Sequence, residues 1–318
     1  MKRSMSYSVV IPVCNEQENI APLYSSLKPV LNKLSETYEI IFVDDGSNDR
    51  TFEKLSRIAT NDPHVKVIRF RRNFGQSAAL AAGFEYATGE IVLSMDGDLQ
   101  NSPEDIPRLL DKLGEGYDVV CGWRRKRRDP LFTKKVPSRI FNWLASKISG
   151  VKLHDFGCTL RAYKKEVVKG LSIYGEMHRY IPGQAAWSGY VVGEVEVSHQ
   201  PRKLGSTKYG FRRVAGGSLD LLTSYFLAKY FARPMRLFGT LGVLSIATGV
   251  VLGVYLTILR LVYEVPLWDR PLLLLAVLLT VLGVQFVVIG LIGEMLTKYR
   301  YESGKKFFEI KEKINMDD

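Results

Sequence analysis

Apolar runs alternate with stretches of helical periodicity from the start of the chain. Tyr7 to Val13 is a short apolar run that reads as a strand and ends in Pro12-Val13-Cys14-Asn15-Glu16. A helix is expected from about Glu18 to Leu34, where Ile20, Leu23, Leu27, Val30, Leu31 and Leu34 recur at helical spacing. Glu39 to Val43 predicts a second strand, Thr51 to Thr60 a helix, and Val65 to Phe70 a third strand. The alanine-rich stretch from Gly75 to Ala87 predicts a helix whose small side chains allow close packing on a sheet. Ile91 to Met95 is a further buried strand, Pro103 to Leu113 a helix with proline in its tolerated first turn, and Asp118 to Gly122 another strand. Strands alternating with helices of this length imply an α/β domain, with a mainly parallel sheet covered on both faces.

The pattern changes in the last third. Leu237 to Leu259 and Pro271 to Gly293 are uncharged apolar runs without a polar face, bounded by Arg236 and Arg260 and by Arg270 and Glu294. Each is long enough to cross about 30 Å of hydrocarbon as a helix, which fits a membrane hairpin better than a pair of core helices. The linker between them is too short for anything but a tight turn, so both ends lie on one side. That side carries Arg212, Arg213, Lys229, Arg233, Arg236, Lys298, Arg300, Lys305 and Lys306, and the positive-inside rule places it in the cytoplasm. The expected organisation is a cytoplasmic catalytic domain over 1–210, a juxtamembrane amphipathic helix over 211–234, a two-helix transmembrane hairpin over 235–294 and a cytoplasmic tail over 295–318. Phe307 to Asp318 is charged and is expected to be helical.

The chain has 318 residues, long enough for one large or two small domains, and a net charge of +11. That excess points to an anionic partner: nucleic acid, membrane surface or phosphorylated substrate. No recognised nucleic-acid module accompanies the basic clusters, which argues against a nucleic-acid partner. Cys14, Cys121 and Cys158 show no metal spacing and read as buried free thiols in a reducing compartment.

Two strand ends are acidic. Asp44-Asp45-Gly46-Ser47 follows one strand and Asp96-Gly97-Asp98 another. Ligands of open α/β sheets bind outside the carboxyl ends of the strands. By itself an Asp-Gly-Asp is more often a solvated turn, with Asp98 or Ser102 capping the following helix. Two carboxylates spaced i, i+2 at a strand end also suit a hard cation such as Mg²⁺ or Mn²⁺ shared with substrate phosphates. A Gly-rich phosphate loop is absent, which disfavours a dinucleotide-binding dehydrogenase or P-loop nucleotidase.

The ordered set Val9-Val10-Ile11-Pro12-Val13-Cys14-Asn15-Glu16, Val43-Asp44-Asp45-Gly46-Ser47 and Met95-Asp96-Gly97-Asp98 resembles the GT-A fold of family 2 inverting glycosyltransferases. Arg71 to Gln76 and Asp155 to Tyr163 resemble its polyprenyl-phosphate branch, which includes dolichyl-phosphate mannose synthases and bacterial bactoprenol glucosyltransferases. The two C-terminal spans match the bacterial group. The resemblance implies that Pro12, Asn15, Glu16, Asp44 and Asp45 hold the nucleotide sugar. It implies that Asp96, Asp98 and Gln100 position the diphosphate and its Mg²⁺ or Mn²⁺. The implied reaction moves one hexose, glucose from UDP-glucose, onto undecaprenyl phosphate at the cytoplasmic face of the membrane. GDP-mannose, a UDP-aminoarabinose donor and a non-catalytic membrane scaffold are the alternatives. A homo-oligomer through the spans is also what the resemblance suggests.

A lipid phosphate is anionic at neutral pH, so no strong general base is obligatory; cations must bring two anions together. Arg124 to Arg128, with Lys134, Lys135 and Arg139, precedes a segment in which Val136, Ile140, Phe141, Leu144 and Ile148 share a face, as an interfacial element would. Arg202 to Tyr209 resembles the branch's Arg-x-x-Gly-x-Ser-Lys-Tyr, with Thr207 in place of the serine. Arg202 and Lys208 are therefore assigned to phosphate, together with Arg124 and Arg179. Asp155 is the candidate catalytic residue beside Asp98 and Arg202; orienting the acceptor, acting as base and capping a turn all remain open to it. Gln184-Ala185-Ala186-Trp187 lacks the Gln-x-x-Arg-Trp of processive synthases, which favours single-sugar transfer.

Overall fold

A computed structural model describes residues 6–35, 37–125, 142, 145–147, 149–171, 173, 177–200, 234–264, 266, 271–303 and 310–315, with the side chains of 297–313 excepted. The chain divides into two units, Met1–Ser224 with Lys306–Asp318, and Tyr225–Lys305.

The first unit is built on one sheet. Its elements are β1 (Tyr7–Val13), α1 (Ile20–Leu34), β2 (Tyr38–Asp44), α2 (Thr51–Asn61), β3 (Val65–Phe70), α3 (Gln76–Tyr86) and β4 (Ile91–Ser94). A 3-10 turn at Pro103–Asp105 leads into α4 (Ile106–Gly114). Then come β5 (Val119–Trp123), β6 (Arg161–Lys164), α5 (Lys165–Gly170), a 3-10 turn at Met177–Tyr180, α6 (Ile181–Trp187) and β7 (Val192–Glu196). The strand order is β7-β5-β6-β4-β1-β2-β3-β8, where β8 is Ile310–Ile314. β1, β2, β3 and β4 are mutually parallel and β5 pairs parallel with β7, whereas β6 runs antiparallel to both β4 and β5.

Alternation along the strands builds two cores. Val9, Ile11 and Val13 of β1 face Ile20, Leu23, Leu27 and Leu31 of α1 together with Leu55 of α2 and Leu109 of α4. Val10, Ile41, Val43 and Val92 face the other way, toward Ala78, Ala79, Ala82 and Phe84 of α3 and toward α5 and α6. A period of two on the strands and of 3.6 on the helices thus sorts the same apolar residues into opposite layers. The periodicity over Glu18 to Leu34 is realised from Ile20 onward.

The tail differs from its expectation. Ile310–Ile314 is not helical; it adds to β3 as an antiparallel edge strand, and Ile314 packs against the first core. Asn315 Nδ2 donates to the Ala59 and Val65 carbonyls at 2.7 and 2.9 Å. An open edge of unpaired backbone groups on β3 is a stronger demand than the local preference of a short charged segment.

The second unit contains α7 (Pro234–Val262) and α8 (Pro271–Ser303), both long and apolar enough to cross a membrane. They pack on small residues: Gly242 and Gly249 of α7 lie against the Gly283 and Ala276 carbonyls of α8. Large apolar side chains on their outer faces, Leu244, Val251, Leu261 and Leu274 among them, are exposed.

Candidate functional site

The parallel register of β1 and β2, from Tyr7↔Tyr38 to Val13↔Asp44, delivers both C-terminal loops to one edge of the sheet. There they are knitted together. Asp45 N–H donates to the Val13 carbonyl, Asn15 N–H to Ser47 Oγ and Asn48 N–H to Asn15 Oδ1, each at 2.8–2.9 Å. Glu16 N–H donates to Thr51 Oγ1 at 2.9 Å. Asn15 takes the left-handed backbone, φ 52°, which asparagine tolerates better than most residues.

The two acids of this turn are already engaged. Asp44 is fully buried; it accepts Ser47 N–H at 3.0 Å and lies 3.5 Å from Arg69 Nε. Asp45 is buried as well and accepts both Phe74 N–H and Gly75 N–H, at 2.7 and 2.9 Å, just ahead of α3. Burial pushes both carboxyls up, against these hydrogen bonds that pull them down. Gly46 makes the close approach possible. At φ 66° its missing Cβ would lie 2.4 Å from the backbone carbon of Arg72.

β4 lies on the other side of β1, with Val10 opposite Ser94, and carries the second acidic turn to the same edge. A Cβ on Gly97 would meet Val13 Cγ1 at 2.6 Å, so the turn rests directly on the end of β1. Leu99 holds φ 61°, an uncommon conformation for a bulky residue and one that clusters at functional sites. Asp96, Asp98 and Gln100 are half-buried, not enclosed. Gln76 Nε2, from the first residue of α3, donates to Asp96 Oδ1 at 2.7 Å. Burial raises the Asp96 carboxyl, while the Thr159 hydroxyl and the Arg124 and Arg161 cations lower it. Asp98 accepts Gln100 N–H at 3.2 Å. The Gln100 carbonyl accepts Gln200 N–H at 3.0 Å, and Asn101 bridges His199.

No group of three His, Cys, Asp or Glu gathers as a metal cage among the described residues. Two carboxylates and an amide at an open turn are instead the donor set that Mg²⁺ or Mn²⁺ takes when phosphates supply the remaining oxygens.

The third side of the site comes from β5, β6 and the loops around them. Arg124 grips Asp155 with two hydrogen bonds, Nε to Oδ2 at 2.7 Å and Nη2 to Oδ1 at 3.1 Å. Asp155 also accepts Gly157 N–H at 3.0 Å. Burial works against the Arg124 cation and the hydrogen bonds to Asp155 outweigh it, so the guanidinium keeps its charge. Beside it His154 stacks on Trp123, ring centroids 4.3 Å apart, and bonds Glu194. Arg179 sits half-buried on the Met177–Tyr180 turn. Arg202, Lys208, the basic residues after Arg125 up to Arg139, the amphipathic segment after them and the juxtamembrane stretch fall wholly or largely outside the described residues.

Pro12, Asn15, Glu16, Asp45, Asp96, Asp98 and Gln100 therefore converge on one edge, with Arg124 and Asp155 next to Asp96. Four further residues converge with them: Gln76, Thr159, Arg161 and His178. The sequence signal for them was a resemblance of whole stretches, Arg71 to Gln76, Asp155 to Tyr163 and His178 to Tyr180, and in the last of these Arg179 and not His178 was the residue assigned. Cys14 differs from its expectation. It is half-buried in the loop after β1, 3.3 Å from Asn73 Nδ2, whereas Cys121 and Cys158 are buried, with their thiols pushed up to about 12 and about 11.

The site and its fold have counterparts. Residues 8–171 match the family model described as glycosyl transferase family 2. A dodecaprenyl-phosphate galacturonate synthase of Rhizobium johnstonii is 37% identical over 306 residues, covering 94% of this chain and 90% of the relative. An undecaprenyl-phosphate 4-deoxy-4-formamido-L-arabinose transferase of Proteus mirabilis is 39% identical over 292 residues, covering 91% and 87%. Among solved structures, a glucosyl-3-phosphoglycerate synthase of Mycobacterium tuberculosis, in complex with Mn²⁺, UDP and phosphoglyceric acid, superposes with a TM-score of 0.57 at 19% identity. That superposition covers 70% of this chain and 78% of the other, and it establishes the GT-A fold. With matched motifs, a matched fold and relatives aligned through both apolar helices, the chain is a sugar-transferring enzyme that belongs to glycosyl transferase family 2.

Proposed function

We propose that this enzyme transfers a single sugar from a UDP-sugar to a polyprenyl phosphate, anchored in the membrane by α7 and α8 with its sheet domain on the cytoplasmic side. The observation that carries this reading is the end-to-end alignment with two polyprenyl-phosphate sugar transferases, apolar helices included. The sugar is of the kind those relatives' names carry. Galacturonate and L-arabinose share the galacto arrangement at C2 to C4, with an axial substituent at C4 where glucose is equatorial. This favours a galacturonate or 4-amino-arabinose donor over the glucose expected from the branch resemblance.

In this reading the Pro12–Glu16 loop and the Asp45 turn cradle the nucleoside, and Asp44 stays behind them as the closure of the turn. Asp96, Asp98 and Gln100 hold the divalent cation, which would supply charge neutralisation to the leaving diphosphate. Gln76 orients Asp96. Arg124, Arg179, Arg202 and Lys208 gather the lipid phosphate, whose oxygen attacks the anomeric carbon in line and inverts it. Asp155 fixes the fork of Arg124 and is no longer a free base; a phosphate nucleophile needs none.

The test is transfer of labelled sugar to undecaprenyl phosphate from UDP-galacturonate, UDP-4-formamido-arabinose, UDP-glucose and GDP-mannose, with Mn²⁺ or Mg²⁺ and again with EDTA. Metal-dependent label in the lipid phase from one of the first two donors is expected. Label from UDP-glucose alone would restore glucose, and absence of transfer from every donor would remove the lipid-phosphate reading.

A further inference from the structure

Gln76 and Ser77 are neighbours in the first turn of α3 and face different partners. Gln76 bonds Asp96 on the donor side. Ser77 Oγ lies 2.8 Å from His178 Nδ1 and accepts His178 N–H at 3.1 Å. Ser77 and His178 are both buried. A hydroxyl has one proton and two lone pairs. With the backbone N–H on one lone pair, the hydroxyl meets Nδ1 with its proton or with its second lone pair, according to the imidazole tautomer, and either way Ser77 holds both the backbone and the ring of His178.

The His178 carbonyl is held in turn. It accepts Arg161 Nη1 at 2.9 Å, and Arg161 Nη2 donates to the Phe156 carbonyl at 2.6 Å. Arg161 is only 2% exposed, and no carboxylate pairs with it among the described residues. A buried cation with no carboxylate in salt-bridge contact is costly to keep. Here its donors tie together two loops, the one that carries Asp155 and the one that carries Arg179. Arg179, the residue after His178, forms no ion pair among the described residues. An uncommitted guanidinium is the group that takes a phosphate bidentately.

We propose that Ser77, His178 and Arg161 are positioning residues for the transfer reaction: they pin the Met177–Tyr180 turn to α3 and so present Arg179 to the acceptor phosphate. The inference rests on the lipid-phosphate reading above. It makes α3 the element that sets the spacing between the two substrates, with Gln76 fixing the donor side and Ser77 the acceptor side.

The test is steady-state kinetics of the full-length enzyme in detergent, with undecaprenyl phosphate and the nucleotide sugar varied separately. Ser77→Ala and His178→Ala should each raise the KM for the lipid phosphate about tenfold, the loss of one positioned hydrogen bond. The KM for the nucleotide sugar should stay within about twofold. His178→Asn, whose amide reaches the place of Nδ1, should recover most of the lipid KM. Ser77→Ala combined with Arg179→Ala should be no worse than Arg179→Ala alone, because Ser77 acts through Arg179. Additive losses in that pair, an equal rise in both KM values, or melting temperature falling with an unchanged lipid KM would overturn the proposal. So would a folded His178→Asn variant as impaired as His178→Ala. If the unmodified enzyme binds the nucleotide sugar but no lipid phosphate, the proposed function itself fails, and this inference with it.

Discussion

Two acidic turns flank β1, one after β2 and one after β4, and in sequence they look like equivalent ligand sites. Their surroundings make them different. In the Asp44–Asp45 turn both carboxylates are buried and committed, to Ser47 N–H and Arg69 in one case and to Phe74 and Gly75 N–H in the other. In the Asp96–Asp98 turn the carboxylates are half-buried; the side-chain groups that bond Asp96 are neutral, the Gln76 amide and the Thr159 hydroxyl, and Asp98 accepts Gln100 N–H. A carboxylate whose lone pairs are filled by backbone N–H groups is a structural anchor, whereas one left at an open edge can share a cation with a diphosphate. In the function proposed above, the first turn builds the loop under the nucleoside and the second holds the cation.

The sharpest way to break this contrast is Asp96→Ala. Transfer should fall by on the order of 100-fold or more, with the melting temperature nearly unchanged. Full activity in this variant would make the two turns equivalent after all. Gly46→Ala comes next, because its Cβ would meet backbone and not a flexible side chain. It should cost about 2–3 kcal/mol in denaturant unfolding, with residual activity tracking the folded fraction. Asp44→Ala leaves the Ser47 N–H buried and unpaired. A loss of about 1–3 kcal/mol is expected, with turnover per folded molecule largely kept.

The smallest effect concerns Asp62, ahead of the amino-terminal end of β3, a carboxylate given over to structure alone. Burial works against its charge, and hydrogen bonds from Lys28, Tyr24 and His64 outweigh it, so its carboxyl lies far below the ordinary 3.8. A group depressed in the folded state stabilises fully above its unfolded value and loses that stabilisation as the pH falls toward the folded one. Unfolding midpoints should therefore drop as the pH falls below about 4, and Asp62→Asn should lower stability at neutral pH while flattening that acid limb.

Much of the half of the sheet from β1 to β4 was legible because its signals are local. β1 to β4 with α1 to α3 follow from periodicities of two and 3.6, and the acids stand where the apolar runs stop. The side built on β5 and β6 was legible only as a resemblance. Arg161 to Lys164 is a four-residue strand that pairs with β4 and β5 across long stretches of chain, and nothing in Arg-Ala-Tyr-Lys alone announces it. Ser77 and His178 are 101 positions apart, and neither residue type at its own position marks the bond between them.

By itself, then, the order of residues determined the layered α/β domain, the acidic strand ends, the two apolar helices and the excess of cations, since each depends on spacing within one segment. Tertiary structure alone decided which carboxylates are buried under backbone N–H groups and which stay half-buried at the sheet edge. It decided that Asp155 is locked to Arg124, and that Ile310–Ile314 becomes an edge strand and not a helix. The physical reason is the same in every case. A carboxylate's role and a short segment's conformation are set by the hydrogen-bonding groups that meet them, and those groups come from distant parts of the chain.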